Sequence, residues 1–347
     1  MAKLKLIQVG VGGWGWSWAN IAKQSEDWDV VAYVDISEEN LRKASAYYGM
    51  EKRRCYTDLD DAIKEAKADA VLGVVPPSAH ADVTIKALEA GLHVLVEKPI
   101  ADTLENAKQM IKKAKSNRLK LMVSQQYRFR RAPRTVKKIL EEKIVGDPGY
   151  VSINFHKAPK FPPGSFRVEM PNPLLMDMSI HHFDMIRGIL KIDPISVYAE
   201  SWNPKWSWFK GNPTAIVKIE MENDVRVVYH GSWVSQGWET TWDGDWRIQC
   251  TEGEIHWYNN KIEVKAPIFQ TVFAKGLLER NGILEAELVK MPLEDREYSL
   301  HEFAQSIIQD RDPETAGEDN LKTFAMTLAT IESCNTGKKI KIAEYLR

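Results

Sequence analysis

Gly10-Val-Gly12-Gly13-Trp14-Gly15 follows an apolar run and precedes a helical pattern. A G-x-G-x-x-G in that position is the fingerprint of a dinucleotide-binding turn. Gly10 allows the tight turn, Gly12 lets the backbone approach a pyrophosphate, and Gly15 lets the helix pack closely on the sheet. Helix N-terminal amides would then face the phosphates. Gly13 and Trp14 belong to the same candidate cofactor turn. Asp35 comes about 20 residues after the last glycine, where an acid accepts from the adenosine ribose hydroxyls. Its charge repels a 2′-phosphate, and Ile36 rather than a cation follows it, so NAD is favoured over NADP. The same Asp35 also fits a cap for a helix starting near Glu38.

Two further groups carry side chains suited to proton transfer. Glu97-Lys98-Pro99 ends an apolar run and so falls at the carboxyl edge of a sheet, where ligand crevices form. Lys98 there can hold a substrate hydroxyl or share in proton transfer. It can equally be a solvated lysine paired with Glu97. Asp177, His181 and Asp184 are spaced i, i+4 and i+7 in a helical pattern, which puts them on one α-helical face. A carboxylate beside an imidazole raises its basicity, making His181 a candidate base. The same spacing suits a divalent metal or an ordinary surface hydrogen bond. His182 points about 100° away from His181 and reads as structural.

The elements that position these residues change character along the chain. Up to about residue 123, short apolar runs at Lys3 to Val9, Asp29 to Asp35, Asp69 to Val75, Leu92 to Val96 and Leu119 to Val123 alternate with amphipathic stretches. This pattern predicts a parallel sheet covered by helices on both faces. The Met1 to Gly10 segment reads as the first strand rather than a signal peptide. Helices are expected from a capping box at Thr57, from a capping serine at Ser78, and between Thr103 and Arg118. After Tyr127 a helix from Arg134 to Val145 leads into alternating runs that read as antiparallel. Hairpins are expected at Asn223-Asp224 and Asn259-Asn260, with helices at Met176 to Leu190, Leu300 to Asp310 and Asp319 to Asn335.

Composition excludes several classes. The 347 residues carry 47 Lys plus Arg against 48 Asp plus Glu, a net charge of -1, which argues against a nucleic-acid partner. At 44% hydrophobic and 27% charged, the chain reads as globular rather than disordered. No apolar stretch approaches the roughly 18 residues of a membrane span. Cys55, Cys250 and Cys334 form no Cys-x-x-Cys pattern, so no structural zinc is expected and a reducing cytoplasm fits.

Taken with Pro76-Pro77-x-x-His80 and Gln126-Tyr-Arg-Phe129, these motifs resemble, over essentially the whole chain, the glucose-fructose oxidoreductase / inositol dehydrogenase / MocA family. The resemblance implies an α/β architecture: an N-terminal Rossmann domain, residues 1–124, and a C-terminal α+β domain, residues 125–347, with a large open antiparallel sheet. It implies an active site between the domains, with Lys98 and His181 flanking the substrate carbon that exchanges hydride with nicotinamide and Asp177 orienting the substrate. Val75, Pro76, Glu97 and Gln126 match positions lining the nicotinamide side of NAD, and Arg128 matches one that shapes the pocket or ties the domains. Assembly through the open sheet would give a homodimer or homotetramer.

The chain departs from the family pattern around Asp177, where Pro171 to Met176 replaces the usual glycines and Ser179 follows. The expected activity is oxidation of a secondary hydroxyl of a sugar, cyclitol or related polyol. The same residues would also serve an NAD-dependent glycosidase, and a non-catalytic NAD-binding sensor is the rival from another class. Tryptophans 202, 206, 208, 233, 238, 242, 246 and 257 could stack on sugar rings or simply pack. Trp14, Trp16 and Trp18 could close over the cofactor or pack on the second domain.

Overall fold

The computed structural model describes residues 2–266, 277–280 and 283–347, with 277–280 described by backbone alone. Met1, where the expected first-strand segment begins, lies outside the described residues. The chain forms two compact units, Met1–Phe129 with Leu293–Leu321 and Arg130–Pro292 with Lys322–Arg347.

In the first unit, strands β1 (Leu4–Val9), β2 (Trp28–Val34), β3 (Cys55–Tyr56), β4 (Ala70–Gly73), β5 (His93–Glu97) and β6 (Leu121–Ser124) pair in parallel in the order β3-β2-β1-β4-β5-β6. The order reverses direction between β1 and β4, the switch point at which α/β sheets open a crevice beyond their carboxyl ends. Helices α1 (Trp14–Gln24), α2 (Glu38–Tyr48), α3 (Leu59–Ala66), α4 (Pro77–Glu89) and α5 (Leu104–Ser116) connect the strands. Thr103 caps α5 as expected, its hydroxyl accepting from the Asn106 amide at 3.2 Å. Two other caps differ from expectation. Asp58, not Thr57, caps α3, accepting from the amides of Asp60 and Asp61. Helix α4 starts at Pro77, one residue before Ser78, because proline in the first turn needs no hydrogen-bonded N–H.

The helix Asp295–Ile308 belongs to this unit although it follows the second sheet in sequence. Its Leu300 and Phe303 share a core with Trp18, Trp28 and Phe129. The Trp28 and Phe303 rings stack at 5.4 Å, and Trp28 Nε1 donates to the Leu300 carbonyl at 2.9 Å. Thr315 closes the free edge of β6: its carbonyl accepts from Val123 N at 2.9 Å and its hydroxyl donates to Val123 O at 2.6 Å. Both bonds remove edge groups that would otherwise lack partners.

In the second unit, strands β7 (Pro148–His156), β8 (Pro194–Trp202), β9 (Thr214–Met221), β10 (Arg226–Ser232), β11 (Asp245–Cys250), β12 (Gly253–Tyr258), β13 (Lys261–Lys265), β14 (Leu277–Arg280), β15 (Ile283–Ala286) and β16 (Ile340–Lys341) form one sheet. Their order is β14-β15-β13-β12-β11-β7-β10-β9-β8-β16. The expected hairpins join β9 to β10 and β12 to β13. The sheet is mixed rather than wholly antiparallel, since β7 and β10 run parallel. The chain leaves β7 by a long excursion instead of a tight turn, so nothing local forces those two strands into opposite directions.

Helix α6 (Arg131–Glu141) starts before the expected Arg134, because Pro133 sits in its first turn and breaks no helical hydrogen bond. A short turn, α7 (Phe166–Glu169), precedes a π-helical turn at Leu174–Ser179, and α8 (Ile180–Leu190) continues from it. Trp233, Trp246 and Trp257 are core residues of this unit, whereas Trp206 and Trp238 are exposed. Among the described residues no helix is long and apolar enough to cross a membrane.

Candidate active site

The glycine turn leaves β1 and enters α1, as its spacing predicts. Gly10 has a φ of +89°, and a Cβ there would lie 2.1 Å from the Val74 carbonyl oxygen, so neither conformation nor space admits another residue. A Cβ on Gly15 would meet the Gly10 carbonyl oxygen at 2.2 Å, which is the close helix-on-strand approach the pattern implies. The turn is braced from below by Gln8, a residue sequence reading missed. Its buried amide nitrogen donates to the carbonyls of Gly10 at 3.0 Å and Gly15 at 2.8 Å.

Asp35 stands directly after β2 and faces that turn. One carboxylate oxygen accepts from the amides of Val11 at 3.0 Å and Gly12 at 3.2 Å; the other accepts from Ser37 N at 2.9 Å and Asn40 Nδ2 at 3.2 Å. The cap of α2 is Ser37 rather than Asp35, with the Ser37 hydroxyl accepting from Asn40 N. The acid is thus fixed beside the glycine turn, where it can meet a ribose. On β6 and the turn Gln126–Phe129 that follows it, the hydroxyl of Ser124 and the side-chain oxygen of Gln126 are buried without a hydrogen-bond partner among the described residues. Uncompensated polar atoms in the interior are costly, so these two await a ligand or water. A glycine turn, a fixed acid and orphaned polar atoms at strand carboxyl ends fit a dinucleotide.

Glu97 is the last residue of β5, and Lys98 follows it half-buried. Glu97 is no solvated surface partner: it is 5% exposed, and one carboxylate oxygen accepts from the indole N–H groups of Trp14 at 3.0 Å and Trp18 at 2.7 Å. The other accepts from the backbone amide of Lys98 at 3.0 Å. Trp14 and Trp18, one turn apart on α1, reach the same acid; Trp18 is fully buried, whereas Trp14 is 52% exposed. Arg296 lies over both indoles, 4.4 Å and 5.5 Å from the ring centres, and donates to the Ser17 hydroxyl at 2.6 Å. Trp16 packs against Tyr47 and Tyr48.

His80 braces the other side of the Lys98 turn. Its ring nitrogens lie 2.8 Å from the Pro99 carbonyl and 2.9 Å from the Val75 carbonyl. Burial pushes its pKa down. A neutral ring donates to only one of the two carbonyls, and the imidazolium that would satisfy both is the form burial disfavours. The His80 ring thus sits between the carbonyl of Val75, a residue expected beside nicotinamide, and that of the residue after Lys98. Arg128 makes a 2.9 Å ion pair with Asp319, and both residues lie in the first unit.

In the second unit, Asp177 lies in the π-helical turn, while His181 and Asp184 lie on α8. The three therefore do not share one uninterrupted α-helical face. The wider i→i+5 turn ends at Ser179, and such turns recur at functional sites. Asp177 accepts from Arg167 Nε at 2.6 Å, a partner no local spacing announced. Asp184 is fully buried and accepts from the Thr323 hydroxyl at 3.0 Å, a structural role. His181 is buried on the first turn of α8. His182 is structural, as its direction predicts. Burial holds its pKa down at about 4, so the neutral ring accepts from the Tyr229 hydroxyl at 3.1 Å and donates to the Trp242 carbonyl at 2.9 Å.

Residues 4–125 match the model of an oxidoreductase family with an NAD-binding Rossmann fold, and residues 134–256 match the GFO/IDH/MocA C-terminal domain. The chain is 24% identical to a 1,5-anhydro-D-fructose reductase of Ensifer adhaerens, covering 90% of this chain and 91% of that one. It is 23% identical to a D-apiose dehydrogenase of Rhizobium rhizogenes, covering 100% and 99%. The fold superimposes with a TM-score of 0.87 on an oxidoreductase from Agrobacterium radiobacter solved in complex with NAD+, L-tartaric acid and magnesium. That pair is 22% identical, and 99% of each chain is covered. With both halves matched in order, over residues 4–125 and 134–256, this protein belongs to the Gfo/Idh/MocA family of NAD-binding oxidoreductases.

Proposed function

We propose that the protein is an NAD-dependent dehydrogenase that oxidises a secondary hydroxyl of a sugar, cyclitol or related polyol. Bound NAD supplies the hydride acceptor. His181 takes the proton of the substrate hydroxyl, Lys98 stabilises the developing alkoxide with its charge, and Asp177 orients the substrate. Asp35 selects the unphosphorylated ribose. Gly10, Gly12, Gly13, Trp14 and Gly15 form the pyrophosphate turn, and Val75, Pro76, Glu97 and Gln126 line the nicotinamide side.

The observation that carries this reading is the bracing of Lys98. Glu97 holds its amide and His80 the carbonyl of the residue after it, so the lysine stands on a rigid turn at a strand carboxyl end, as a group acting on substrate must. The curated relatives named as a reductase and a dehydrogenase of carbohydrates support the substrate class. Exposed apolar residues on the second sheet, including Tyr198, Ile216 and Val228, support assembly into a homodimer or homotetramer. The test is NADH formation with NAD and a panel of inositols, free sugars and sugar acids. A product trace with one member establishes the dehydrogenase; bound NAD with no turnover of any member would count against it.

A further inference from the structure

We propose that the substrate is a polyhydroxy carboxylate, a sugar acid rather than a neutral sugar, and that Arg167 is the residue that recognises its carboxylate. The inference rests on the reading of Asp177 as a substrate-side residue and deepens it.

Arg167 is held in three ways. Its Nε donates to Asp177 at 2.6 Å, and its guanidinium carbon sits 4.5 Å from the centre of the Phe166 ring and 5.2 Å from that of Phe161. Only Nε is used. The two terminal nitrogens make no hydrogen bond with any described residue, and the side chain is about one-third exposed. A guanidinium presents parallel N–H groups that match a carboxylate at two points. One already fixed by an acid and two rings loses little freedom on engaging a ligand, so it favours binding more than a mobile arginine would.

Charge around it points the same way. From Lys157 to Glu169 the chain carries Lys157, Lys160 and Arg167 and one acid, Glu169, which pairs with Lys210 at 2.5 Å. Lys157 pairs with Glu239 at 2.8 Å and Arg167 with Asp177. Lys160 has its ammonium over the Trp208 ring at 5.9 Å and no carboxylate within ion-pair distance among the described residues. The same patch is continuous through aromatic contacts, Trp208 to Phe209 at 5.8 Å and Phe209 to Phe161 at 6.1 Å. Rings offer faces to the C–H side of a polyol, while the surplus cation and the open fork call for an anion. A neutral polyol would use the rings and leave the charge unmatched.

The experiment compares matched acids and neutral counterparts: D-glucuronate with D-glucose, D-galacturonate with D-galactose, and myo-inositol as a neutral cyclitol. NADH formation is followed, and binding of the same acids to NADH-loaded protein is measured by calorimetry. The acids are expected to be preferred. Arg167→Met should lower their kcat/KM and affinity by about 10- to 100-fold, the worth of a charged hydrogen bond, and should lower those of neutral compounds, which feel only the loss of the Asp177 partner, by a clearly smaller factor. Arg167→Lys, which keeps the charge but loses the planar fork, should fall between. Preference for neutral compounds, failure of the acids to bind, or an equal loss on both classes in Arg167→Met would overturn the inference, the last by making Arg167 only a support for Asp177. Oxidation of neutral polyols alone would leave the dehydrogenase standing and remove Arg167 from recognition. Tight, Arg167-dependent binding of an acid without turnover would uphold Arg167 and sink the dehydrogenase.

Discussion

The indole nitrogen of Trp18 lies 2.7 Å from Glu97 Oε1, across 79 positions of sequence. That bond, with the matching one from Trp14, ties the helix after the glycine turn to the strand end that carries Lys98. The glycine turn and the lysine are thus parts of one hydrogen-bonded unit, clamped from outside by Arg296.

Removing the acceptor should be felt at both ends. Glu97→Gln turns one acceptor oxygen into a donor, leaving either an indole or the Lys98 amide unsatisfied. A loss of about 1–3 kcal/mol in urea-unfolding free energy is expected. Trp18→Phe removes a single donor and a little volume, and should cost less than Glu97→Gln. Equal stability of the wild type and Glu97→Gln would show that the buried acid contributes nothing.

Cofactor choice should depend on Asp35. Asp35→Ser removes the charge that repels a 2′-phosphate, so the ratio of NADP to NAD utilisation in kcat/KM should rise by at least about tenfold. NAD binding should also weaken, because the carboxylate holds the Val11 and Gly12 amides in place. An unchanged ratio would remove Asp35 from ribose recognition.

Lys98→Met and His181→Asn should each lower kcat by about 100- to 10,000-fold, the range of a lost acid or base. NAD affinity, measured by fluorescence titration, should stay nearly constant. Unaltered turnover in either variant would exclude that residue from the chemistry.

Stability should carry a signature of His182. In the folded protein its ring stays neutral until about pH 4, whereas in the unfolded chain it takes up a proton near the ordinary 6.5. Between those values the unfolded state binds more protons, so the stability this ring contributes is present above 6.5 and lost as pH falls toward 4. The slope is at most about 1.4 kcal/mol per pH unit. Denaturant unfolding at several pH values should show a steeper acid loss in the wild type than in His182→Asn. Parallel curves would sink the idea.

Legibility in the sequence followed the range of the interaction. The glycine turn, Asp35 and the two hairpins were readable because a positive φ, a strand end or a two-residue linker is set by a few neighbouring residues. The helix starts at Leu59, Pro77 and Arg131 were misread because a cap depends on one side-chain geometry, and because proline inside a first turn looks like a boundary. The π turn at Leu174–Ser179 gave no local sign. A helix that widens by one residue keeps the same apolar spacing on either side, so Asp177 was read as sharing a face with His181 and Asp184.

By itself the sequence determined the class of both halves, the glycine turn between the first strand and the first helix, and the family to which the motifs around Lys98 and His181 belong. Each of these rests on residue types at fixed short spacings. Only the tertiary structure decided what Glu97, Arg167, His80 and Gln8 touch, and that residues 293–321 pack with the first unit. Those contacts join residues far apart in the chain, through a single indole, guanidinium or amide, and no periodicity records which distant partner a buried polar group will find.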